Sequence, residues 1–185
     1  NCLSLALAYG FTKPYWVLGK NSKGTINYFV FLLNLPWLIF SWFVFFCQVK
    51  LSKEDFCNQI GGTNIWISRR LNWGEQRLDF DMIVDLCAEF PKDRISQVEY
   101  LSVPNLDGAP ISFEGLDCNI KDQKVLVHCA NGHGRSSLFV TLLLIKNNEC
   151  QTVEEALQLI QKSRPLAYPN SSQYKWLKSL KLSEL

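Results

Sequence analysis

The sequence has 185 residues, of which 48% are hydrophobic, and its formal net charge is +2. This length is sufficient for one compact domain with an additional segment, and so small a net charge gives no sign of a nucleic-acid-binding surface. The seven cysteines include no C-x-x-C pair, and only two histidines accompany them. This argues against a zinc site and favours buried thiols in a reducing compartment over a disulfide framework.

The first 50 residues are dominated by an uncharged apolar run, TINYFVFLLNLPWLIFSWFVFFCQV, at residues 25–49. A membrane-spanning helix needs about 20 mostly apolar residues, so residues 1–50 are predicted to be a membrane-associated segment. Asn34 and Pro36 lie inside the run and leave a kink or a re-entrant hairpin open. A buried core helix and a cleaved signal peptide are the alternatives, but the run has no polar stripe and no small-residue cleavage site follows it.

After Lys50 the composition changes to that of an ordinary soluble domain. Residues 51–63 are interpreted as a linker with a turn at Gly61 and Gly62, and residues 64–185 as a soluble domain. Short apolar or alternating runs predict four strands, at residues 64–68, 81–86, 97–103 and 124–129. The last run is apolar throughout, as expected of a central strand.

Three helices are predicted after the fourth strand, at residues 136–148, 152–164 and 171–182. The second has Thr152 and Glu155 at the spacing of a capping box. Early strands, late helices and a central apolar strand predict an α/β domain with a mostly parallel central sheet flanked by helices.

The segment HCANGHGRS, residues 128–136, connects the central strand to the first of these helices. Its two glycines allow the backbone to turn N–H groups inward, and the helix N-terminus adds free N–H groups and a positive dipole end. The segment is therefore predicted to be a phosphate cradle closed by the planar guanidinium of Arg135. The other cradle residues are Ala130, Asn131, Gly132, His133 and Gly134.

Cys129 lies at the base of the cradle, where the positive field favours the nucleophilic thiolate. It is predicted to attack phosphorus and form a phosphocysteine, while Ser136 donates a hydrogen bond to the departing thiolate. His128 is predicted to hold the strand end rather than act as a base. For His133, a switchable charge and a loop residue that faces solvent both stay open. No metal or cofactor is expected, since Arg135 and the cradle stabilise the transition state.

HCANGHGRS matches the H-C-x5-R-S/T signature of the protein tyrosine phosphatase superfamily. Residues 65–180 resemble its dual-specificity branch, including the lipid-directed and phosphatidylglycerophosphate phosphatases. The resemblance implies the cysteine-phosphatase fold, with SVPNLDG as the general-acid loop and Asp107 as the acid that protonates the leaving oxygen and later activates water. Asp107 precedes Cys129 by only 22 positions, fewer than is usual in the family, so Asp117 and Asp122 stay as alternatives.

Other reactive side chains are given structural roles. Asp81, Asp85 and Glu89 are interpreted as strand-edge and loop polar groups rather than metal ligands. Cys87 and Cys118 could each form a reversible disulfide with the nucleophile under oxidation, but both are interpreted as structural.

Together these features predict a membrane-anchored cysteine phosphatase, with its catalytic domain in a reducing compartment of the cytosolic type. A cradle held near a bilayer meets lipid headgroups at a raised effective concentration, which favours a phosphorylated lipid over a phosphoprotein as substrate. The alternatives are a protein tyrosine or dual-specificity phosphatase, an inactive phosphate-binding module and a rhodanese-like domain. The His-Cys pair, Ser136 and the upstream Asp loop argue against the last. No nucleic-acid partner is expected, and the oligomeric state is open.

Overall fold

The computed structural model describes residues 2–72, 75, 79–92, 98–111, 116 and 121–181. Within these ranges, three N-terminal helices are followed by five strands and then by three C-terminal helices. The elements, in chain order, are α1 (Cys2–Gly10), α2 (Tyr15–Leu18), α3 (Tyr28–Leu51), β1 (Cys57–Gln59), β2 (Ile65–Arg69), β3 (Met82–Cys87), β4 (Glu99–Asn105), β5 (Val125–Cys129), α4 (Gly134–Lys146), α5 (Val153–Ser163) and α6 (Ser171–Ser179).

The strands form one sheet in the order β1-β2-β5-β3-β4. Strands β2, β5, β3 and β4 are parallel, and β1 pairs antiparallel with β2 at one edge. The predicted α/β architecture with a mostly parallel sheet and flanking helices is therefore confirmed. All five residues of β5 are buried, as expected of a central strand covered on both faces. The strand predicted at residues 97–103 begins outside the described residues and is seen as β4.

Strand β1 was not anticipated, because it lies in the segment 51–63 that was interpreted as a linker. Its residues, Cys57, Asn58 and Gln59, are too few and too polar to give a strand pattern. They extend the sheet by pairing with residues 66–68 of β2. The turn predicted after it is confirmed at Gly61 and Gly62.

The core lies between the sheet and the C-terminal helices. Ten consecutive residues of α4, 135–144, are buried, which explains its unbroken apolar sequence. In α5, the side chain of Thr152 accepts a hydrogen bond from the backbone N–H of Glu155, so the predicted N-cap is confirmed. Helix α6 begins with a complete capping box between Asn170 and Gln173.

Helix α3 is one continuous 24-residue helix with Pro36 inside it, so the chain forms no re-entrant hairpin at this point. By length and composition it is the one helix among the described residues able to cross a membrane. Its outward face is apolar and exposed, and its inward residues Leu38, Trp42 and Phe45 pack against the rest of the chain. The large exposed side chains are Tyr28, Phe29, Leu32, Leu33, Ile39, Phe40, Phe43 and Phe46.

A buried ion pair joins the N-terminal segment to the sheet. Lys20, between α2 and α3, donates to the Asp85 carboxylate of β3 and, at 3.1 Å, to the carbonyl oxygen of Cys87. Both charged side chains are fully buried, and Tyr100 also donates to Asp85. Burial alone would raise the pKa of Asp85, but Lys20 and then His128 hold it well below its usual range. The interpretation of Asp85 as a strand-edge polar group is therefore wrong.

Candidate active site

The cradle lies at the carboxyl edge of the sheet, where β5 ends at Cys129 and α4 begins at Gly134. Gly132 allows the turn, because its φ is +70° and a Cβ there would lie 2.4 Å from the backbone carbonyl of Ser68. Cys129 is 3% exposed. It lies at the base of a pocket of about 290 Å³ whose lining residues are Asp107, Gly108, Cys129, Ala130, Asn131, His133, Gly134, Arg135, Tyr168, Asn170 and Gln173. Three candidate catalytic residues therefore meet in one pocket.

The guanidinium of Arg135 is held by a carboxylate that lies 46 positions earlier in the chain. Its Nη1 and Nη2 atoms donate to the two carboxylate oxygens of Glu89 at 2.8 and 2.6 Å. Nη1 also donates to the carbonyl oxygen of Asn105 at 2.9 Å. Burial alone would lower the pKa of Arg135, but Glu89 raises it well above its usual value. The guanidinium therefore stays charged although only 1% of the residue is exposed.

Glu89 is a loop polar group, as the sequence predicts, but its ion pair with Arg135 was not anticipated. It lies two residues beyond β3 and is buried, with 8% of the residue exposed. A signal was present in the sequence, since an acidic residue directly after a buried strand points toward the edge where the cradle forms. Asp81 fits its interpretation, because its carboxylate accepts from the backbone N–H of Lys124 at the surface.

Asp107 reaches the cradle from the loop after β4. Its Oδ1 lies 3.2 Å from Nε of Arg135, and 76% of its side chain is exposed. Asp122 is exposed and precedes β5, so β5, at about 3.3 Å per residue, separates it from Cys129 by at least about 13 Å. Asp122 is therefore wrong as the acid for this pocket. Asp117, the other alternative, lies outside the described residues.

Two residues of α6 hold the Asp107 loop from the far side of the pocket. The side-chain amide of Asn170 donates to the carbonyl oxygen of Gly108 at 3.2 Å. The amide of Gln173 donates to the carbonyl oxygen of Ala109 at 3.0 Å. The same two residues form the capping box of α6, so one motif caps the helix and positions the loop.

The outer side of the cradle is tied to the segment that follows α3. Arg164 is almost fully buried and donates to the carbonyl oxygens of Gly132 and Asn131, both at 3.1 Å, and to that of Asp55 at 2.7 Å. His133 lies with its Nε2 2.8 Å from Oε2 of Glu54 and is half-buried. The interpretation of His133 as a solvent-facing loop residue is therefore wrong.

The supporting residues flank the nucleophile. Ser136 is fully buried, and its hydroxyl has no hydrogen-bond partner among the described residues. His128 is also fully buried, and its Nε2 lies 3.8 Å from Oδ1 of Asp85. Since neighbouring strand residues point to opposite faces, the ring of His128 lies on the face opposite Cys129.

Cys87 lies on the same face of the sheet as His128. Potential ligand atoms of Asp85, Cys87 and His128 lie within 4.8 Å of one another, and the ammonium of Lys20 supplies a cation beside them. The Cys87 thiol is fully buried, and burial is the main cause that raises its pKa well above the usual value. Cys87 is therefore poorly placed to form a disulfide with the nucleophile, and Cys118 lies outside the described residues.

Comparison with known proteins gives a consistent result. Residues 72–182 match the family model described as the dual specificity phosphatase catalytic domain. The crystal structure of Tk-PTP in the active form has a TM-score of 0.57 and 29% identity, and the match covers 68% of this chain and 95% of that one. PTPMT1 in complex with PI(5)P gives a TM-score of 0.56, 22% identity and coverages of 67% and 93%. A putative mouse dual specificity phosphatase complexed with zinc tungstate has a TM-score of 0.56 and 21% identity, and the match covers 69% of this chain and 90% of that one. The comparison with curated proteins found no match.

Proposed function

The chain belongs to the dual-specificity phosphatase family and is a cysteine-dependent phosphatase, and we propose that its substrate is a phospholipid phosphomonoester. In this proposal residues 1–50 bind the membrane and residues 64–185 form the catalytic domain, while residues 51–63 link the two. The domain faces a reducing compartment, because its nucleophile must stay a thiol.

The observation that carries the proposal is the position of α3 beside the cradle. The indole N–H of Trp42 donates to the carbonyl oxygen of Glu89 at 2.9 Å, and Asn131 of the cradle donates to the side chain of Gln48 at 3.0 Å. The other face of the same helix exposes a continuous row of aromatic and aliphatic side chains. A helix that immerses this face in a bilayer therefore holds the cradle at the level of lipid headgroups.

The proposed reaction has two steps. In the first, the Sγ of Cys129 attacks phosphorus and forms a P–S bond while the P–O bond to the leaving group breaks. Asp107 donates its proton to that oxygen. In the second, water attacks phosphorus as Asp107 takes its proton, and the P–S bond breaks to release phosphate and the thiolate. The buried hydroxyl of Ser136 then donates to the thiolate.

The negative charge of the transition state is stabilised by groups that the fold holds in position before the reaction. The guanidinium of Arg135 binds two phosphate oxygens, and the inward backbone N–H groups of residues 130–135 bind the others. Glu89 keeps the guanidinium in position through both of its Nη atoms. Such preorganisation costs no rearrangement at the moment of reaction.

The test measures phosphate release by the full chain in phospholipid nanodiscs, in a buffer that contains a chelator. The substrates are phosphatidic acid, phosphatidylglycerophosphate, phosphoinositides and phosphotyrosine peptides, with Cys129→Ser as the control. We expect release that depends on Cys129 and a kcat/KM at least tenfold higher for one phospholipid than for any peptide. A preference for peptides would favour a protein phosphatase, and no release from any substrate would favour a phosphate-binding module.

A further inference from the structure

A second cavity, of about 240 Å³, adjoins the phosphate pocket. The two cavities share four lining residues, Asp107, Ala130, Asn131 and Arg135, and therefore lie side by side. We call the second cavity the α3 channel. Its inner wall includes Ala88, Glu89, Phe90 and Leu106, and Tyr9 and Val17 of the N-terminal helices also line it. Its outer wall is formed by the α3 residues Trp37, Phe40, Ser41, Val44, Phe45 and Gln48.

The walls of the α3 channel are held together by specific contacts. Trp42 bonds the carbonyl oxygen of Glu89 and stacks on Phe90 with ring centroids 6.4 Å apart. Phe45 meets Phe90 edge to face at 5.0 Å. Since aromatic pairs at these separations favour defined orientations, the channel is a built feature of the junction between helix and domain.

The polarity of the combined space changes along its length. One end contains the charged guanidinium of Arg135 and the N–H groups of the cradle. The α3 wall is mostly aliphatic and aromatic, and Phe40 of this wall is 65% exposed. A ligand that fits both has an anionic head joined to a hydrocarbon tail.

We propose that the α3 channel binds the glycerol backbone and the first methylenes of an acyl chain while the phosphate occupies the cradle. The inference rests on the proposed lipid phosphatase function and extends it, because α3 then forms part of the substrate site as well as an anchor. Each methylene buried in such a channel improves binding by up to about fourfold. Acyl recognition therefore separates lipid substrates from water-soluble phosphomonoesters that use the same cradle.

The experiment blocks the channel without touching the cradle. Val44→Trp places an indole in the outer wall of the channel, and Phe43→Trp places an indole at the neighbouring position, on the exposed face. The full chain in nanodiscs is assayed on phosphatidic acids of increasing acyl length and on p-nitrophenyl phosphate. Partition of the lipid into the disc is common to both variants, so their difference measures the channel alone.

We expect Val44→Trp to lower kcat/KM for dioctanoyl phosphatidic acid at least tenfold while p-nitrophenyl phosphate hydrolysis stays within twofold of the unmodified chain. Phe43→Trp should leave both unchanged. Val44→Thr keeps the shape of the side chain and places a hydroxyl against the hydrocarbon, so it should lower lipid hydrolysis about threefold or more. This second variant tests the channel even if the tryptophan variant fails to fold.

Equal lipid hydrolysis by folded Val44→Trp, Phe43→Trp and Val44→Thr would overturn the channel and leave the lipid phosphatase function intact. Failure of the unmodified chain to hydrolyse phosphatidic acid, phosphatidylglycerophosphate or any phosphoinositide, with Cys129-dependent activity on phosphotyrosine peptides, would overturn the proposed function itself. The two failures are therefore distinguishable in one set of assays.

Discussion

Replacement of Glu89 by glutamine tests the support of the phosphate-binding arginine. The substitution keeps the size of the side chain but removes its charge and replaces one of its two acceptor oxygens with an N–H donor. Among the described residues, Arg135, at 1% side-chain exposure, then retains one carboxylate neighbour, the largely exposed Asp107. Removing one partner of a buried ion pair typically costs about 3–5 kcal/mol. We take the lower figure, about 3 kcal/mol, because 11% of the Glu89 side chain is exposed.

Two measurements follow from that magnitude. For a chain of this size, 1 kcal/mol corresponds to roughly 2–4 °C in Tm, so Glu89→Gln should lower Tm by at least about 6 °C. A guanidinium displaced by about 1 Å should lower kcat/KM on p-nitrophenyl phosphate about 100-fold. Both are measured on the full chain in detergent, well below the lowered Tm.

The matched control is Glu154→Gln, which makes the same change in an ion pair with Lys178 where both side chains are 47% exposed. Exposed ion pairs contribute about 0–1 kcal/mol to the free energy of unfolding. Glu154→Gln should therefore keep its activity and have nearly the same Tm as the unmodified chain. The reasoning is refuted if Glu89→Gln keeps full activity, or if its Tm falls no further than that of the control.

Three more outcomes are expected. Gly132→Ala should lower kcat/KM more than tenfold, because residue 132 has a φ of +70° and the added Cβ would lie 2.4 Å from the backbone carbonyl of Ser68. Activity within twofold of the unmodified chain would contradict this geometry of the cradle. Asp107→Asn should lower kcat on alkyl phosphates about 100-fold while Asp122→Asn changes nothing, and equal rates for both variants would remove Asp107 from the acid role. The depressed pKa of Asp85 gives stability that is complete above its unfolded value, about 4, and is lost as pH falls toward the folded pKa. Tm should therefore change little between pH 6 and about pH 4 and fall as the pH is lowered further, and Lys20→Met should flatten that fall; an unchanged slope would refute the link.

The parts of the site that lie close together in sequence could be predicted, and those assembled by the fold could not. The cradle and Arg135 occupy one short segment between a strand and a helix, so local chemistry was sufficient to identify them. Glu89 and Arg164 reach the same cradle from 46 positions before Arg135 and 29 positions after it. Nothing in either local sequence specifies which strand order brings them there.

The fold was predictable where periodic or apolar runs were long. The four parallel strands and the three C-terminal helices have such runs, whereas β1 has only three residues, which form a strand through pairing with β2. Helix α3 was recognised as a helix, but it is apolar all round, so no stripe marks the face that packs. Its contacts with the cradle therefore needed the structure.

The buried Lys20–Asp85 pair determines how the catalytic domain is mounted. A domain joined to its anchor by a flexible chain sweeps a wide volume and samples many orientations. Here a charge pair with no exposed side-chain surface ties residues ahead of α3 to strand β3, which restricts the movement of the helix relative to the domain. Under the proposed membrane association of residues 1–50, an enzyme mounted this way would reach substrate in the leaflet that its own helices occupy. Its turnover would then depend on lateral diffusion of substrate within that leaflet.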